Sequence, residues 1–281
     1  MVRAILITSF GARRFTAKFE DFNKQGALQM QPAETYHDKG YYISDPLFSA
    51  SELAEVSSLL DHLVARAADC EEMAKDCVFE RDQPASKRGG VAIEPDSKAV
   101  FIVGDVPRFC PQLIPFLTDL KLVDLVASFL GTSDIVMHFA NLTMKSAKIG
   151  SGINWHRDFL NKFICPVAPS MVRTMICVDG MSPDTGATRF LSGSHNEPGQ
   201  AASDVEPMDD RIEVAACSAG AVAAIHPLVL HCGPPNFSPL PRRNIVIQWG
   251  RTDVPLATDF KESVTGKTIE CLRAEVNRIN Y

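Results

Sequence analysis

The sequence lacks several features that mark whole classes of protein. Its eight cysteines include no C-x-x-C pair, which excludes a zinc ribbon and a dithiol redox site. No apolar run approaches the roughly 18 residues that span a bilayer, and no dense block of lysine and arginine marks a nucleic-acid binder. Internal repeats and low-complexity tracts are also absent, which excludes solenoids and propellers.

The composition that is present suits a sizeable folded core. The chain has 281 residues, of which 46% are apolar and 22% charged, with a formal net charge of −6 at pH 7. These values are close to the average of soluble globular proteins. We therefore expect a single domain over residues 1–281, and a cytoplasmic one because no membrane span or signal-peptide core is found; its oligomeric state is not indicated. One alternative stays open, because the first 19 residues carry only basic charges, as organellar transit peptides do.

Helical patterns precede strand patterns along the chain. Apolar residues at helical spacing predict a helix over 51–76, with Ser49 or Ser51 as its N-cap, and a second helix over 111–130 that ends at Gly131. The polar, Pro- and Gly-rich residues 81–98 predict a loop long enough to form a lid or binding rim. The N-terminal helical part thus covers about 40–131, and a C-terminal helical tail about 253–281.

Between these parts, about 134–252, short β-branched runs are broken by turn residues, as in an antiparallel barrel or sandwich. Without βαβ alternation, the order predicts an α+β fold with a mainly β core and flanking helices. The predicted strands are 135–146, 154–159, 171–178, 188–191, 212–215, 221–225 and 244–249.

The segment Trp-His-Arg-Asp-Phe at 155–159 carries the clearest indication of chemistry. Residues i and i+2 of a strand point to one face, so His156 and Asp158 are predicted to project together into the barrel. A third ligand would complete the two-histidine, one-carboxylate triad of non-haem Fe(II) oxygenases. His231 is the favoured third ligand, and His226, five positions earlier, is its rival.

Two arginines follow the distal histidine. Arg242 and Arg243 lie eleven and twelve positions after His231 and open the last strand. A guanidinium at this place can hold a carboxylate bidentately, in a planar geometry that lysine does not offer.

Together these motifs resemble the phytanoyl-CoA dioxygenase family of Fe(II)- and 2-oxoglutarate-dependent oxygenases. The resemblance starts near Gly40 and includes the motifs at 155–159, 184–195 and 231–236, up to Arg242. It covers roughly two-thirds of the chain. It implies a double-stranded β-helix, a cupin-like jelly-roll barrel, with helices packed outside.

The resemblance also implies the roles of individual residues. His156, Asp158 and His231 would be the catalytic iron ligands, and Arg242 would anchor the far carboxylate of 2-oxoglutarate. Thr143 and Lys145 fall where other members contact the co-substrate. One departure is Gly233, which stands where the family commonly has a hydroxyl residue that helps to hold the co-substrate.

The implied function is oxidation, by default hydroxylation, of an unactivated C–H bond of a small molecule. Fe(II) would be the cofactor, and 2-oxoglutarate and O2 would be consumed, with release of succinate and CO2. Two alternatives stay open: a cupin-like metal enzyme that does not use 2-oxoglutarate, and a non-catalytic iron or 2-oxoglutarate sensor. Substrate identity is not indicated.

Several side chains are candidates for contact with an acidic or zwitterionic substrate. They are Lys87 and Arg88 in the predicted loop, together with Phe159, Asn161 and Arg173. For the loop pair, solvated surface is the favoured interpretation.

Overall fold

The computed structural model describes residues 31–206 and 208–279. The basic N-terminal segment, and with it the transit-peptide hypothesis, lies outside the described residues. Residues Pro32–Tyr281 group into one compact unit. That the whole of 1–281 forms one domain stays a prediction.

Helices flank the β-structure at both ends of this unit. None of the described helices is long and apolar enough to cross a membrane. The helices are α1 (Pro32–Lys39), α2 (Ala50–Ala67), α3 (Glu71–Ala74), α4 (Val106–Phe109), α5 (Ile114–Leu117), α6 (Leu120–Leu130) and α7 (Ile269–Ile279). Short 3-10 helices lie at Glu80–Asp82, Ala85–Arg88, Pro111–Leu113, Ser194–Asn196 and Ala202–Asp204.

The strands form two antiparallel sheets. They are β1 (Tyr41–Ile43), β2 (Cys77–Phe79), β3 (Val100–Val103), β4 (Ile135–Lys145), β5 (Ile153–His156), β6 (Met171–Cys177), β7 (Arg189–Leu191), β8 (Ile212–Val214), β9 (Val222–Ile225), β10 (His231–Gly233), β11 (Arg242–Arg251) and β12 (Lys267–Thr268). The larger sheet has the order β1-β9-β6-β11-β4-β3-β2, with β12 beside β4, and the smaller sheet has the order β5-β10-β7-β8.

Strand alternation gives the larger sheet two different faces. On β4, Ala140 and Leu142 belong to the main apolar core with the inner side of α2, whereas Phe139, Asn141 and Thr143 line a cavity on the opposite face. The same alternation runs along β11, which pairs with β4 over almost its whole length. One face of the sheet therefore packs against helices, and the other encloses a cavity with the smaller sheet.

The α+β order with a mainly β core is confirmed, but the details of several elements differ. The predicted strand 154–159 ends at His156, so Asp158 lies in the following loop and not on the strand face. β1 lies within residues 40–48, which the sequence predicts as a short extended segment, and four other strands were not predicted, namely β2, β3, β10 and β12. Each has only two to four residues, too few for a period of two to stand out.

Both long predicted helices are interrupted. The first ends at Ala67, and a separate turn, α3, follows at Glu71. The second is divided at Thr118, whose hydroxyl donates to the carbonyl of Ile114 at 2.8 Å, and Asp119 then caps a new helix that ends at Gly131 as predicted. Side-chain bonds to the backbone of this kind compete with helix continuation.

The N-terminus of α2 is capped by Ser49, one of the two predicted N-caps. Its hydroxyl accepts from the amide of Glu52 at 3.4 Å, and the Glu52 carboxylate accepts from the amide of Ser49 at 2.8 Å. We expect Ser49→Ala to lower the free energy of unfolding by about 1 kcal/mol, because it removes this capping box. Chemical denaturation measures the change. Ser58→Ala, at an exposed position inside the same helix, is the control and should change stability little; an equal loss in both variants would contradict the capping role.

Candidate active site

Three predicted metal ligands come together between the two sheets. His156 ends β5 and His231 begins β10, and the two residues are direct partners in the antiparallel pairing of these strands. The centroids of their imidazole rings are 4.2 Å apart. The loop after β5 returns Asp158 to the same place, so that one ligand atom from each of the three residues lies within 4.8 Å of the others.

Both imidazole rings are oriented by backbone carbonyls. His156 Nδ1 lies 2.8 Å from the carbonyl of Asn154, and His231 Nδ1 lies 3.1 Å from the carbonyl of Val229. If each Nδ1 carries the proton, each Nε2 has a free lone pair. The two Nε2 atoms lie 3.6 and 3.8 Å from Asp158 Oδ1. This is the usual way in which outer contacts direct histidines toward a metal.

The Asp158 side chain is 1% exposed, and its charge has one strong protein partner. Arg173 Nη1 donates to Oδ1, while Oδ2 is buried without any hydrogen-bond partner among the described residues. A buried carboxylate oxygen without a partner is costly. A bound cation would remove that cost, so the arrangement fits a divalent metal ion.

The ionisation states also suit metal binding. Burial alone would raise the pKa of Asp158, but Arg173 and then the two histidines bring that pKa below its ordinary value. Burial lowers the pKa of His231 to about 4, which keeps this imidazole neutral at physiological pH. An ionised carboxylate and a neutral imidazole are the forms that ligate a metal.

A cavity of about 240 Å³ extends from this triad. All six residues to which the family resemblance gives a role line it, namely His156, Asp158, His231, Arg242, Thr143 and Lys145, and so does Arg173. Their proximity is now a structural observation, whereas their chemical roles stay predictions.

Arg242 points into the cavity and is 4% exposed. Its Nη1 lies 2.9 Å from Met181 Sδ and, with the Asn244 amide oriented to satisfy both its groups, 2.9 Å from the Asn244 side-chain oxygen. Its Nε has no partner among the described residues. Burial lowers the pKa of Arg242 to about 10, so the guanidinium stays charged at neutral pH and faces no carboxylate in the cavity.

Lys145 is the cross-strand partner of Arg242 and is 1% exposed. Its ammonium donates to the carbonyl of Pro234. Burial, and then the charge of Arg242, lowers the pKa of Lys145 to about 7. A Cβ at position 233 would lie 3.0 Å from Lys145 Nζ, so the glycine that departs from the family pattern leaves room for this ammonium.

Other candidates from the sequence lie elsewhere. His226 packs between Tyr36 and His195 and accepts from the amide of Leu228 at 3.2 Å, so it is not part of the triad. Arg88 is 5% exposed and donates to three backbone carbonyls; both the rim hypothesis and the solvated-surface interpretation are wrong for it. Lys87 lines a separate shallow pocket.

Two candidates near Asp158 serve the loop that carries it. The Asn161 amide donates to the Asp158 carbonyl at 2.8 Å and accepts from the Phe163 amide at 2.8 Å. Phe163 lines the cavity, and Phe159 is not among the lining residues. The sequence did not predict the contact of Arg173 with Asp158, because this contact depends on which strands pair and no local motif indicates it.

Comparison with known proteins gives a match to a family model. The model of the phytanoyl-CoA dioxygenase family matches residues 36–244. Among curated proteins, the ectoine dioxygenase of Sphingopyxis alaskensis is 22% identical over 177 residues, which is 62% of this chain. That alignment covers 52% of the relative, so the chain matches about half of the relative's length.

Solved structures show the same fold at low identity. EctD from S. alaskensis, solved with 2-oxoglutarate and 5-hydroxyectoine, superposes with a TM-score of 0.64 at 19% identity, over 78% of this chain and 75% of that one. AviO1 from Streptomyces viridochromogenes Tue57 gives a TM-score of 0.60 at 21% identity, over 80% and 95%. The predicted double-stranded β-helix is thereby confirmed.

The choice between the two candidate distal histidines can be tested by metal titration. We expect His231→Ala to weaken Co(II) binding by more than the roughly 10- to 100-fold that outer-shell changes cost, because it removes a ligand. Calorimetry under anaerobic conditions measures the affinity. His226→Ala should bind Co(II) as the unmodified protein does. Equal weakening in both folded variants would count against the triad.

Proposed function

Because the chain belongs to the phytanoyl-CoA dioxygenase family of Fe(II)- and 2-oxoglutarate-dependent oxygenases, we propose that it oxidises a C–H bond of a small molecule. Hydroxylation is the expected outcome, with succinate and CO2 as the co-products. A cavity of about 240 Å³ supports a small-molecule substrate. A cytoplasmic location stays a prediction.

One observation carries this proposal: two buried cations share one end of the cavity that holds the metal triad. Arg242 and Lys145 are 4% and 1% exposed, and no carboxylate lines the cavity beside them. Buried charges without a counter-ion are expensive. A dicarboxylate whose far end reaches this place would neutralise them, as 2-oxoglutarate does in the family.

In this proposal His156, Asp158 and His231 hold the ferrous ion, and Arg242, Lys145 and Thr143 hold the co-substrate. Iron, 2-oxoglutarate and O2 together supply the oxidising power when bound, with decarboxylation of the co-substrate. The chain itself keeps each histidine Nε2 directed at one point through the carbonyls behind Nδ1. It also keeps water away from the reacting groups by burying Asp158 and His231.

The two alternatives from the sequence are less well supported. An enzyme that did not use 2-oxoglutarate would leave Arg242 and Lys145 buried at an end of the cavity where no carboxylate is among the lining residues beside them. A sensor would not need the part of the cavity that extends past Asp158 to Phe139 and Phe163.

Variants of Arg242 and Arg243 test whether Arg242 anchors the co-substrate. We expect Arg242→Ala to weaken 2-oxoglutarate binding by about 30-fold or more, because a charge-assisted pair in a buried site is lost. The measurement is a 2-oxoglutarate titration of the anaerobic Fe(II) protein, followed by the weak visible absorption band of the complex.

Arg243→Ala is the matched control one residue away. Arg243 points to the other face and pairs with Asp61 at 2.8 Å and Asp179 at 2.7 Å, so its loss should leave 2-oxoglutarate affinity unchanged. If the Arg242 variant bound 2-oxoglutarate normally, the anchor assignment would be wrong. Absence of the band in folded, iron-loaded unmodified protein would instead overturn the use of 2-oxoglutarate.

Lys145 predicts a dependence of 2-oxoglutarate affinity on pH. Burial holds its pKa at about 7, so the ammonium is present below pH 7 and is lost as the pH rises through that value. Because the charged form attracts the dianion, affinity should fall by about tenfold between pH 6 and pH 8. Calorimetric titration across this range measures the fall. In Lys145→Met, affinity should be low and nearly flat with pH; an unchanged slope would assign the dependence to another group.

A further inference from the structure

Arg173 is a cation that lines the cavity, and the proposed binding of the metal and the co-substrate does not account for all of its hydrogen-bond donors. It lies on β6, and its side chain is 17% exposed. Its Nη1 donates to Asp158 Oδ1, and its Nε donates to Gln248 Oε1 at 3.2 Å. Gln248 is itself fixed, because its amide donates to the carbonyl of Ile164 at 2.9 Å. The guanidinium is thus held in one orientation.

One nitrogen of this guanidinium remains without a protein acceptor. A guanidinium has five N–H donors, and within the part of the chain that the structure describes, no hydrogen bond is made by Nη2 of Arg173. The group is too enclosed to be fully hydrated, yet it lines the cavity. A ligand in the cavity can therefore reach Nη2.

Arg173 lies far from the proposed co-substrate anchor along the sheet. It is the cross-strand partner of Gln248, which is six positions after Arg242 on β11. At a strand rise of about 3.3 Å per residue, the two arginine positions are separated by about 20 Å of sheet. Asp158 contacts Arg173 at one end, and Gly233, two residues after His231, lies beside Lys145 at the other. The triad therefore lies between the two ends, and the Arg173 end is the part left for the substrate.

Aromatic rings form the wall beside Arg173. The Phe139 ring centroid lies 5.2 Å from the Arg173 guanidinium carbon, and Phe163 packs against Phe139 with its ring edge-on at 5.8 Å. Phe260 contacts Phe163 at 4.5 Å and is 49% exposed. Phe139 and Phe163 line the cavity, and the aromatic wall that they form suits an apolar body.

The charges that line the cavity favour an anion at the Arg173 end. Among the lining residues, three cations, Lys145, Arg173 and Arg242, face one carboxylate, Asp158. Asp158 and one carboxylate of 2-oxoglutarate would neutralise a divalent metal ion, and the far carboxylate would pair with Arg242 and Lys145, so that the charge of Arg173 is left without a counter-ion. An excess of positive charge then remains, and it attracts a negatively charged substrate.

On the basis of the proposed function, we propose that the substrate is a small carboxylate with an apolar body. Its carboxylate accepts from Nη2 of Arg173, and its body lies against the aromatic wall. Because the same guanidinium holds Asp158, the substrate is placed directly beside the metal centre.

The test is a binding experiment that does not depend on turnover. The full chain is loaded with Zn(II) and saturating 2-oxoglutarate, and the 2-oxoglutarate titration is recorded first. Three acids and their primary amides are then titrated: benzoate, 3-phenylpropanoate and hexanoate. In the unmodified protein at least one acid should bind about tenfold or more tightly than its amide, which is the effect of one charge-assisted hydrogen bond.

Two variants at Arg173 test whether this residue causes the preference for the acid over its amide. Arg173→Lys keeps a charge beside Asp158 but loses the planar second nitrogen, so the preference for the acid should fall; Arg173→Gln should abolish it. Because Arg173 also holds Asp158, the metal and 2-oxoglutarate titrations are repeated for each variant, and the acid-to-amide affinity ratio is compared only between proteins saturated with both. Phe163→Ala, which leaves Arg173 intact, should weaken the aromatic acids more than hexanoate.

The results separate this proposal from the function on which it rests. If no acid binds better than its amide, or if the preference survives in both Arg173 variants, the substrate is not held as a carboxylate by Arg173. If excess 2-oxoglutarate displaces the preferred acid from the unmodified protein, the acid occupies the co-substrate site and the proposal is wrong. Failure of the unmodified protein to bind 2-oxoglutarate in the first titration would instead overturn the proposed function.

Discussion

The buried carboxylate of Asp158 is the charge on which the organisation of the site depends. It is almost completely removed from water, and an isolated ionised carboxylate in such a place would be strongly unfavourable. Arg173 compensates part of the charge. The Nε2 atoms of His156 and His231 lie close to the same oxygen, Asp158 Oδ1. The second oxygen has no partner among the described groups. A cation is therefore what completes the electrostatics, and the loop tied by Asn161 holds the carboxylate where that cation would lie.

The register of β11 determines which of its charged side chains face the cavity. Successive side chains of a strand point to opposite faces, so Arg242 enters the cavity while Arg243 pairs with acids near the helices. A slip of one residue would exchange the two arginines and move the apolar residues Ile245 and Ile247 out of the core. The apolar core thus fixes which arginine is available to a ligand. Further along the same strand, Gln248 fixes Arg173, so one strand positions a cation at each end of the cavity.

The sequence predicted the centre of the site better than its surroundings. The motifs around His156 and His231 indicated residues that the structure does bring together, whereas the continuous apolar run at 245–247 does not show which face of β11 each arginine takes. Asp158 reached the same place by a different route, because β5 ends early and a loop replaces the expected strand face. The partnership of Arg173 with Asp158 could not be predicted, since it requires β6 to pair with β11 at Gln248, a contact between residues far apart in sequence. The interruption at Ala67 has no proline or glycine to announce it, so periodicity alone extended that helix too far.

The distribution of unfavourable features within the cavity distinguishes an enzyme from a sensor. Recognition of iron and 2-oxoglutarate alone needs the triad and the Arg242 end. At the other end, Nη2 of Arg173 has no acceptor among the described residues, and the rings of Phe139 and Phe163 line the cavity beside it. A donor and apolar rings that face a cavity are stabilised when a ligand covers them. That a cation with a free donor and two aromatic rings line the cavity next to the proposed metal ligand Asp158 favours a protein that binds a second molecule there.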